Sequence, residues 1–381
     1  MPADIDLVIL GGGCAGLSLA TRLAALGSRS PRTLILESRS VYADDRTWCF
    51  WDRASTPWHH LVRHRWRKMT VRTAERSFTA DCGATPYQML PARSFYDAAL
   101  DTLARTERVD LVIGTAVLAE PRKIGGHWRI ETSAGPCQAR MVIDTRPERG
   151  AALLWQSFYG HEIECDTAIF DPDRIDLMDF ARGDPAKILF TYVLPVSRTR
   201  ALVEVTVFGP DPLDPDALAG DLDAAIARRA DGAAFSIVRS EHGILPMGLP
   251  SIRAQSDITL VRAGLTAGAA RPSTGYAFQR IQRWAEACAG ALRDGAPPLA
   301  HAADTPLVRA MDHLLLAVIR ARPDMAPSLF LSLFEKADTA RIIRFLSDRG
   351  TLADHAAIVW ALPAIPFLRQ VPGALRAMRR R

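Results

Sequence analysis

A buried strand that runs straight into a cluster of glycines and then into a helix leaves a chain few folds to choose from. This chain begins that way. Residues 5–10 are a continuous apolar run broken only by Asp6, and Gly11-Gly12-Gly13-Cys14-Ala15-Gly16 follows at once. Residues 17–26 place leucines at helical spacing among good helix formers, and Gly27 stops the helix. A second apolar strand, residues 33–36, ends in Glu37. In such a βαβ unit Gly11 permits the tight turn, Gly13 lets the backbone approach a pyrophosphate, and Gly16 lets the helix close on the strand. The first helical turn, with Cys14 and Ala15, offers free N–H groups and the positive end of the helix dipole to phosphates. Glu37 stands about 20 residues beyond the last glycine, where a ribose 2′-hydroxyl ligand belongs. An acid at that position argues against a 2′-phosphate. The unit predicts dinucleotide binding.

The 381 residues suffice for two or three domains or one interleaved unit, and 48% hydrophobic with 23% charged residues describes an ordered protein. The net charge is +5, and apart from Lys68, Lys123, Lys187 and Lys336 every base is Arg. Arginine richness follows from gene base composition or, functionally, from attraction to anionic lipid head groups. Six cysteines without a C-x-x-C pair predict a reduced, cytoplasmic protein with no disulfide framework. The acidic start and the absence of an apolar run near 18 residues predict neither a signal peptide nor a membrane span.

Further strands are predicted at 109–113, 128–131 and 141–144, the last ending in Asp144. Residues 155–250 read mostly as strands, including 187–194 and 201–208. A strand at 258–261 leads to Gly264, residues 277–293 form an amphipathic helix, and from Pro306 the chain is helical with proline breaks. The fold class predicted is α/β. A discontinuous Rossmann-type dinucleotide domain (1–80, 105–150, 255–295) is interleaved with an antiparallel substrate sheet (81–104, 151–254), and a helical C-terminal region (296–381) follows.

Glu204 is the one acid in the apolar stretch 201–208. On a strand, Val203, Val205 and Val207 share one face, while Leu202, Glu204, Thr206 and Phe208 share the other. An isolated strand glutamate is ordinarily solvated. On so apolar a face, however, desolvation would raise its pKa and leave a protonated general acid. His59, His60 and His64 have no acidic or cysteine neighbours to complete a metal site, so no metal is predicted. The mixture of bases and aromatics over 58–68 fits a strand pair better than a nucleic-acid surface.

The motif series resembles the bacterial lycopene β-cyclase family. Asp45-Arg46-Thr47-Trp48-Cys49-Phe50 is similar to its N-H-T-W-S-F, and Gln156-Ser157-Phe158-Tyr159-Gly160 to its Q-x-F-x-G. Asp176 to Phe180 matches its acidic L-M-D segment, Phe190 to Pro195 matches F-x-Y-x-L-P, and Gly243 to Met247 matches G-x-L-P-M. Gly264 to Tyr276 resembles the block A-G-x-x-x-P-T-T-G-Y. There are departures. Arg46 replaces a histidine, Thr145 and Pro147 replace two glycines, and Leu265 stands where general flavoproteins carry an acid. Val205 replaces the second of two adjacent carboxylates, which leaves Glu204 alone.

The resemblance implies redox-neutral cyclisation of lycopene or a related linear carotene to β-ionone ends. It also implies FAD held reduced by an external NAD(P)H donor, and Glu204 as the catalytic residue. The cofactor-binding residues it implies are Gly11, Gly13, Cys14, Ala15, Gly16, Glu37, Arg46, Asp144, Gly264, Gly275 and Tyr276. Trp48, Trp51, Trp155, Phe190, Tyr192 and Phe208 are candidates to line the substrate site and stabilise a cation. A water-insoluble substrate implies peripheral contact with membrane lipid, for which the basic and apolar segment 366–381 is the candidate. Two other readings remain open. One is a redox flavoprotein, a hydroxylase or prenyl reductase, which would consume nicotinamide cofactor stoichiometrically. The other is a non-catalytic carotenoid carrier, which would leave the substrate's absorption spectrum unchanged.

Overall fold

The structure is a computed structural model whose described residues are 5–53, 58–147, 150–180, 187–248 and 257–379, with side chains described as far as residue 373. The chain opens with β1 (Leu7–Leu10), α1 (Cys14–Ala25) and β2 (Thr33–Leu36). It then makes β3 (Thr47–Trp51), β4 (His64–Trp66), β5 (Lys68–Arg72), β6 (Ser77–Asp81) and β7 (Tyr87–Pro91). Helix α2 (Ala92–Leu103) and β8 (Val109–Val112) lead to a flap of β9 (Arg122–Ile124), β10 (His127–Ile130) and β11 (Cys137–Ala139). After β12 (Met141–Asp144) come β13 (Leu154–Cys165), β14 (Arg174–Asp179), β15 (Ile188–Pro195) and β16 (Arg200–Gly209). Helix α3 (Pro215–Ala230), β17 (Phe235–Met247), β18 (Leu260–Arg262) and α4 (Phe278–Arg293) follow. The helices α5 (Pro306–Ala321), α6 (Ala326–Lys336), α7 (Thr339–Leu346), α8 (Leu352–Ala361) and α9 (Ala364–Arg379) finish the described chain.

A five-stranded sheet of order β18-β12-β1-β2-β8 is parallel throughout. Helices α1, α2 and α4 bury one face, and Trp128, Ile130 and Ala139 of the flap cover the other. Burial on both faces explains why these strands read as unbroken apolar runs. The second sheet has order β17-β13-β16-β15-β14-β5-β6 and is antiparallel except where β14 meets β5. Its outer face packs Val203, Val205 and Val207 against Leu218, Leu222 and Ile226 of α3, as the strand alternation predicts. The other face looks toward the C-terminal helices. Those helices are tied to the Gly264–Tyr276 loop by a buried pair: Arg271 Nη2 lies 3.2 Å from Asp312, and Ser273 donates to the same carboxylate at 2.7 Å.

Two segments depart from the predicted division. Residues 68–80, placed with the dinucleotide domain, form β5 and β6 at the edge of the seven-stranded sheet. The reason is the parallel pairing of Lys68–Arg72 with Arg174–Asp179, a partner too distant for any local pattern to reveal. Helix α2, placed with the substrate sheet, instead buries Phe95, Tyr96, Ala99 and Leu103 in the dinucleotide core.

Candidate active site

The glycine loop is a cradle with an open top. Gly11 has φ +98°, and a Cβ at Gly16 would fall 2.0 Å from the Gly11 carbonyl oxygen, so neither position admits a side chain. A Cβ at Gly13 would meet nothing within 4 Å. Helix α1 has no acid in its first turn and no side-chain cap, so its leading N–H groups are free to meet an anion. Gly11, Gly13, Cys14 and Ala15 all face one cavity. These features fit a bound pyrophosphate.

Glu37 also reaches the cavity and braces the loop. It accepts from Gly12 N at 2.7 Å and from Arg39 N at 2.8 Å. Burial pushes its carboxyl up, but Arg39 outweighs this and holds it below the usual range. Gly264, Gly275 and Tyr276 line the cavity from the opposite loop. The Gly264 N–H donates to His301 Nε2 at 3.0 Å, and burial drives that ring down to about 3, leaving it neutral. Arg46 lines the cavity while paired with Asp45 at 2.7 Å. Asp144 does not line it. Its carboxylate is occupied by Arg146 at 2.7 and 2.9 Å, and Arg146 is the residue that faces the cavity. Thr145 donates to the Gly11 carbonyl at 2.9 Å.

From this cradle the cavity, about 1010 Å³, continues over the inner face of the seven-stranded sheet to α5, α6, α8 and α9. Its far walls are apolar, with Met311, Leu315, Phe330, Leu333 and Phe367 among them. Trp48, Trp51, Phe190, Tyr192 and Phe208 line it; Trp155 does not. Gln156 and Phe158 take the inward positions on β13, so period-2 alternation turns Trp155 to the other face. Tyr192 donates to the Tyr87 hydroxyl at 2.9 Å, and Tyr87 meets the Tyr276 hydroxyl at 3.2 Å.

Glu204 stands on the inner face, 7% exposed, where the strand pattern predicts it. It is not alone. In the register of β16, β13 and β17, Glu204 pairs with Gly160, and Gly160 pairs with Glu241. Two carboxylates therefore flank a residue without a side chain. A Cβ on Gly160 would press on Glu204 Cβ at 3.0 Å. Burial, then the charge of Glu241, raises Glu204 to about 8 against a hydrogen bond from Thr206 at 2.8 Å. Burial also raises Glu241, 3% exposed, while Arg239 at 2.5 Å and the Thr47 hydroxyl at 2.6 Å oppose it. Glu204 alone was expected; a second carboxylate, from another strand, stands across Gly160. No local pattern marks Glu241; only the strand register brings it to Glu204.

The arrangement of a parallel sheet with its glycine cradle and an antiparallel sheet over a shared cavity recurs among solved structures. Among solved structures, a geranylgeranyl bacteriochlorophyll reductase-like protein from Thermoplasma acidophilum has TM-score 0.61 at 13% identity, covering 96% of this chain and 98% of its own. A p-nitrophenol 4-monooxygenase from Pseudomonas putida has TM-score 0.59 at 16% identity over 99% and 98%. The flavin-dependent brominase Bmp2 has TM-score 0.60 at 13% identity over 98% and 100%. At these identities the likeness speaks to fold alone. The sequence is more specific. The model of the family described as lycopene cyclase protein matches residues 6–371, and the chain belongs to that family. It is 24% identical over 387 residues to a lycopene beta-cyclase of Pseudescherichia vulneris, covering 95% of each.

Proposed function

We propose that this protein is a lycopene β-cyclase, which isomerises the linear ends of lycopene or a related carotene to β-ionone rings without net redox change. The observation that carries this reading is the buried carboxylate pair, Glu204 and Glu241, in an apolar cavity continuous with a dinucleotide cradle. Residues 11–16, Glu37, Gly264, Gly275 and Tyr276 would hold the FAD. Bound there and kept reduced by external NAD(P)H, it would supply an anionic ring able to stabilise positive charge.

The protein's own residues handle the proton. Glu204, protonated near neutral pH because of its burial and its charged neighbour, donates to the terminal double bond. The neighbouring double bond attacks the resulting tertiary cation and closes the ring. A ring proton then passes to the Glu241 carboxylate, and its return to Glu204 resets the pair. One proton enters and one leaves, so no outside acid is consumed. The dry cavity strengthens each charge interaction. Trp51, Phe190, Tyr192 and Phe208 present aromatic faces to the cation.

The hydrocarbon would enter from lipid at α8 and α9. Val359 both lines the cavity and is 58% exposed; beside it Trp360, Ile365 and Leu368 are 86%, 66% and 65% exposed. Residues 355–381 contain no acid and carry Arg369, Arg376, Arg379, Arg380 and Arg381, a composition suited to anionic lipid. Leu375, Met378 and the last four of these arginines lie outside the described side chains. Among the described residues no helix is long and apolar enough to cross a membrane, so the contact proposed is peripheral.

The test is expression in a lycopene-accumulating bacterium, followed by chromatography of the pigments. The expected result is γ-carotene or β-carotene. Unchanged lycopene from a yellow, folded protein that consumes NAD(P)H stoichiometrically with a polyene would instead support the redox reading.

A further inference from the structure

The two carboxylates do not stand in equivalent surroundings. Glu241 faces a guanidinium: Arg239 Nη1 lies 2.5 Å from its Oε2, and the Thr47 hydroxyl donates to the same oxygen at 2.6 Å. Among the described residues, the hydrogen bond recorded at the Glu204 carboxylate is from Thr206. Arg239 is itself fixed. Its Nε donates to Glu162 at 2.6 Å and its Nη2 to Thr47 at 2.8 Å, with Asp44 Oδ2 at 3.5 Å. Glu162 is fully buried and also receives Arg200 at 2.6 Å and Arg63 at 2.8 Å. The strand geometry cooperates. Arg239 sits opposite Glu162 in register, and a β-bulge lies immediately beyond, where Ile163 pairs with Ile237. Bulges of this kind re-aim side chains beside active sites.

We propose that Arg239, clamped by Glu162, is the positioning residue that makes the carboxylate pair unequal: it fixes Glu241 as the proton acceptor and leaves the shared proton on Glu204. A fork held on one edge by Glu162 and Thr47 presents its remaining N–H groups to Glu241 and cannot swing to Glu204. The groups facing Glu241 are Arg239 on its own strand, Glu204 on β16, and Thr47, Cys49 and Asp44 on or before β3, while Glu162 on β13 reaches it through Arg239. Arg63 and Arg200 act on Glu162 rather than on the pair. Among the described residues of this network, Arg239 is the cation that contacts the pair. The acceptor and donor assignments rest on the cyclase reading; the location of the proton does not.

Two measurements test this. The first is the pH profile of cyclisation. Turnover needs the pair singly protonated, so it rises as Glu241 ionises and falls as Glu204 does. Removing a neighbouring cation raises a carboxyl pKa, by about 1–3 units at hydrogen-bonding range. Arg239→Gln should therefore move the acidic limb to higher pH by about that much, and Arg239→Lys should largely restore it. A uniform loss of kcat with both limbs unmoved would mean a merely structural role and overturn the proposal. The second is infrared detection of a protonated carboxyl C=O stretch in the purified wild-type protein at pH 7, which needs neither turnover nor an Arg239 variant that folds. Loss of that band in Glu204→Gln supports the assignment; a band kept in that variant, or no band in the wild type, overturns it. Absence of cyclisation by the wild type would refute the cyclase reading alone and leave the infrared result standing.

Discussion

The glycine cradle and the carboxylate pair are two halves of one cavity built by opposite strategies. The cradle comes from a single stretch of chain: strand, glycines and helix follow one another, and the residues that must be small sit within six positions. The pair comes from β16 and β17, joined only through Gly160 on the strand between them. A ligand site made of backbone needs local turn geometry, which sequence displays directly. A site made of side chains needs register between distant strands, which sequence displays only after the sheet is known.

The comparison predicts that mutations at the cradle and at the pair fail differently. The largest effect should come from Gly13→Val. Gly13 has φ −78° and ψ −167°, which valine tolerates, and a Cβ there meets no protein atom. The variant should fold with near-native circular dichroism yet purify without flavin and without activity; a normal flavin spectrum would refute the placement of the phosphates. Gly16→Ala would instead strike the Gly11 carbonyl, so its loss of flavin should come with a loss of fold stability.

Next in size is Glu204→Gln. Flavin should stay bound while cyclisation falls by about 10²–10⁴-fold, the contribution of a positioned general acid. Retained turnover would remove Glu204 from the chemistry. Gly160→Ala should be milder. The added methyl would meet Glu204 Cβ at 3.0 Å and the Val203 carbonyl at 3.1 Å, displacing the donor by a few tenths of an ångström or more. We expect a loss in kcat of about tenfold, up to a hundredfold if the displacement approaches 1 Å, with flavin content unchanged.

The same contrast explains what was legible from sequence. The parallel sheet and the face on which Glu204 lies follow from apolar runs and from period-2 alternation. The cradle residues reach the cavity as their motif predicts, apart from Gly16, which serves packing, and Asp144, whose carboxylate is taken by Arg146. Trp155 was not separable from the lining aromatics until the inward positions of Gln156 and Phe158 fixed the phase of β13. Glu241 and Arg239 were invisible for a deeper reason. Their stretch, 235–247, is an edge strand whose outward residues are partly apolar, among them Phe235, Ile237 and Val238. Its pattern therefore does not separate buried from exposed positions, and the bulge shifts its phase midway.

A smaller effect sharpens the electrostatic half of the comparison. Because Glu204 titrates at about 8, it carries its proton below that pH and loses it above. Cyclisation should accordingly decline as pH rises through about 8. In Glu241→Gln that decline, measured on whatever activity remains, should begin at lower pH, because removing a neighbouring negative charge makes Glu204 easier to ionise. A decline that stayed in place would mean burial alone sets the Glu204 proton affinity.

The smallest intrinsic effect belongs to the cavity's far end. Trp360 and Leu368 are exposed and do not line the cavity, so Trp360→Ser with Leu368→Ser should alter fold stability by no more than about 0.5 kcal/mol per site. Turnover of detergent-dispersed carotene should be unchanged. Turnover of carotene embedded in vesicles should drop, and so should flotation with vesicles containing anionic lipid, because docking scales with buried apolar area plus attraction to anionic head groups. The arginines would remain, so weak, salt-sensitive flotation should persist in the double variant. Equal activity of variant and wild type in both formats would place the carotene's entrance elsewhere on the cavity. A loss in both formats would mean that the face formed by α8 and α9 shapes the cavity rather than docking it.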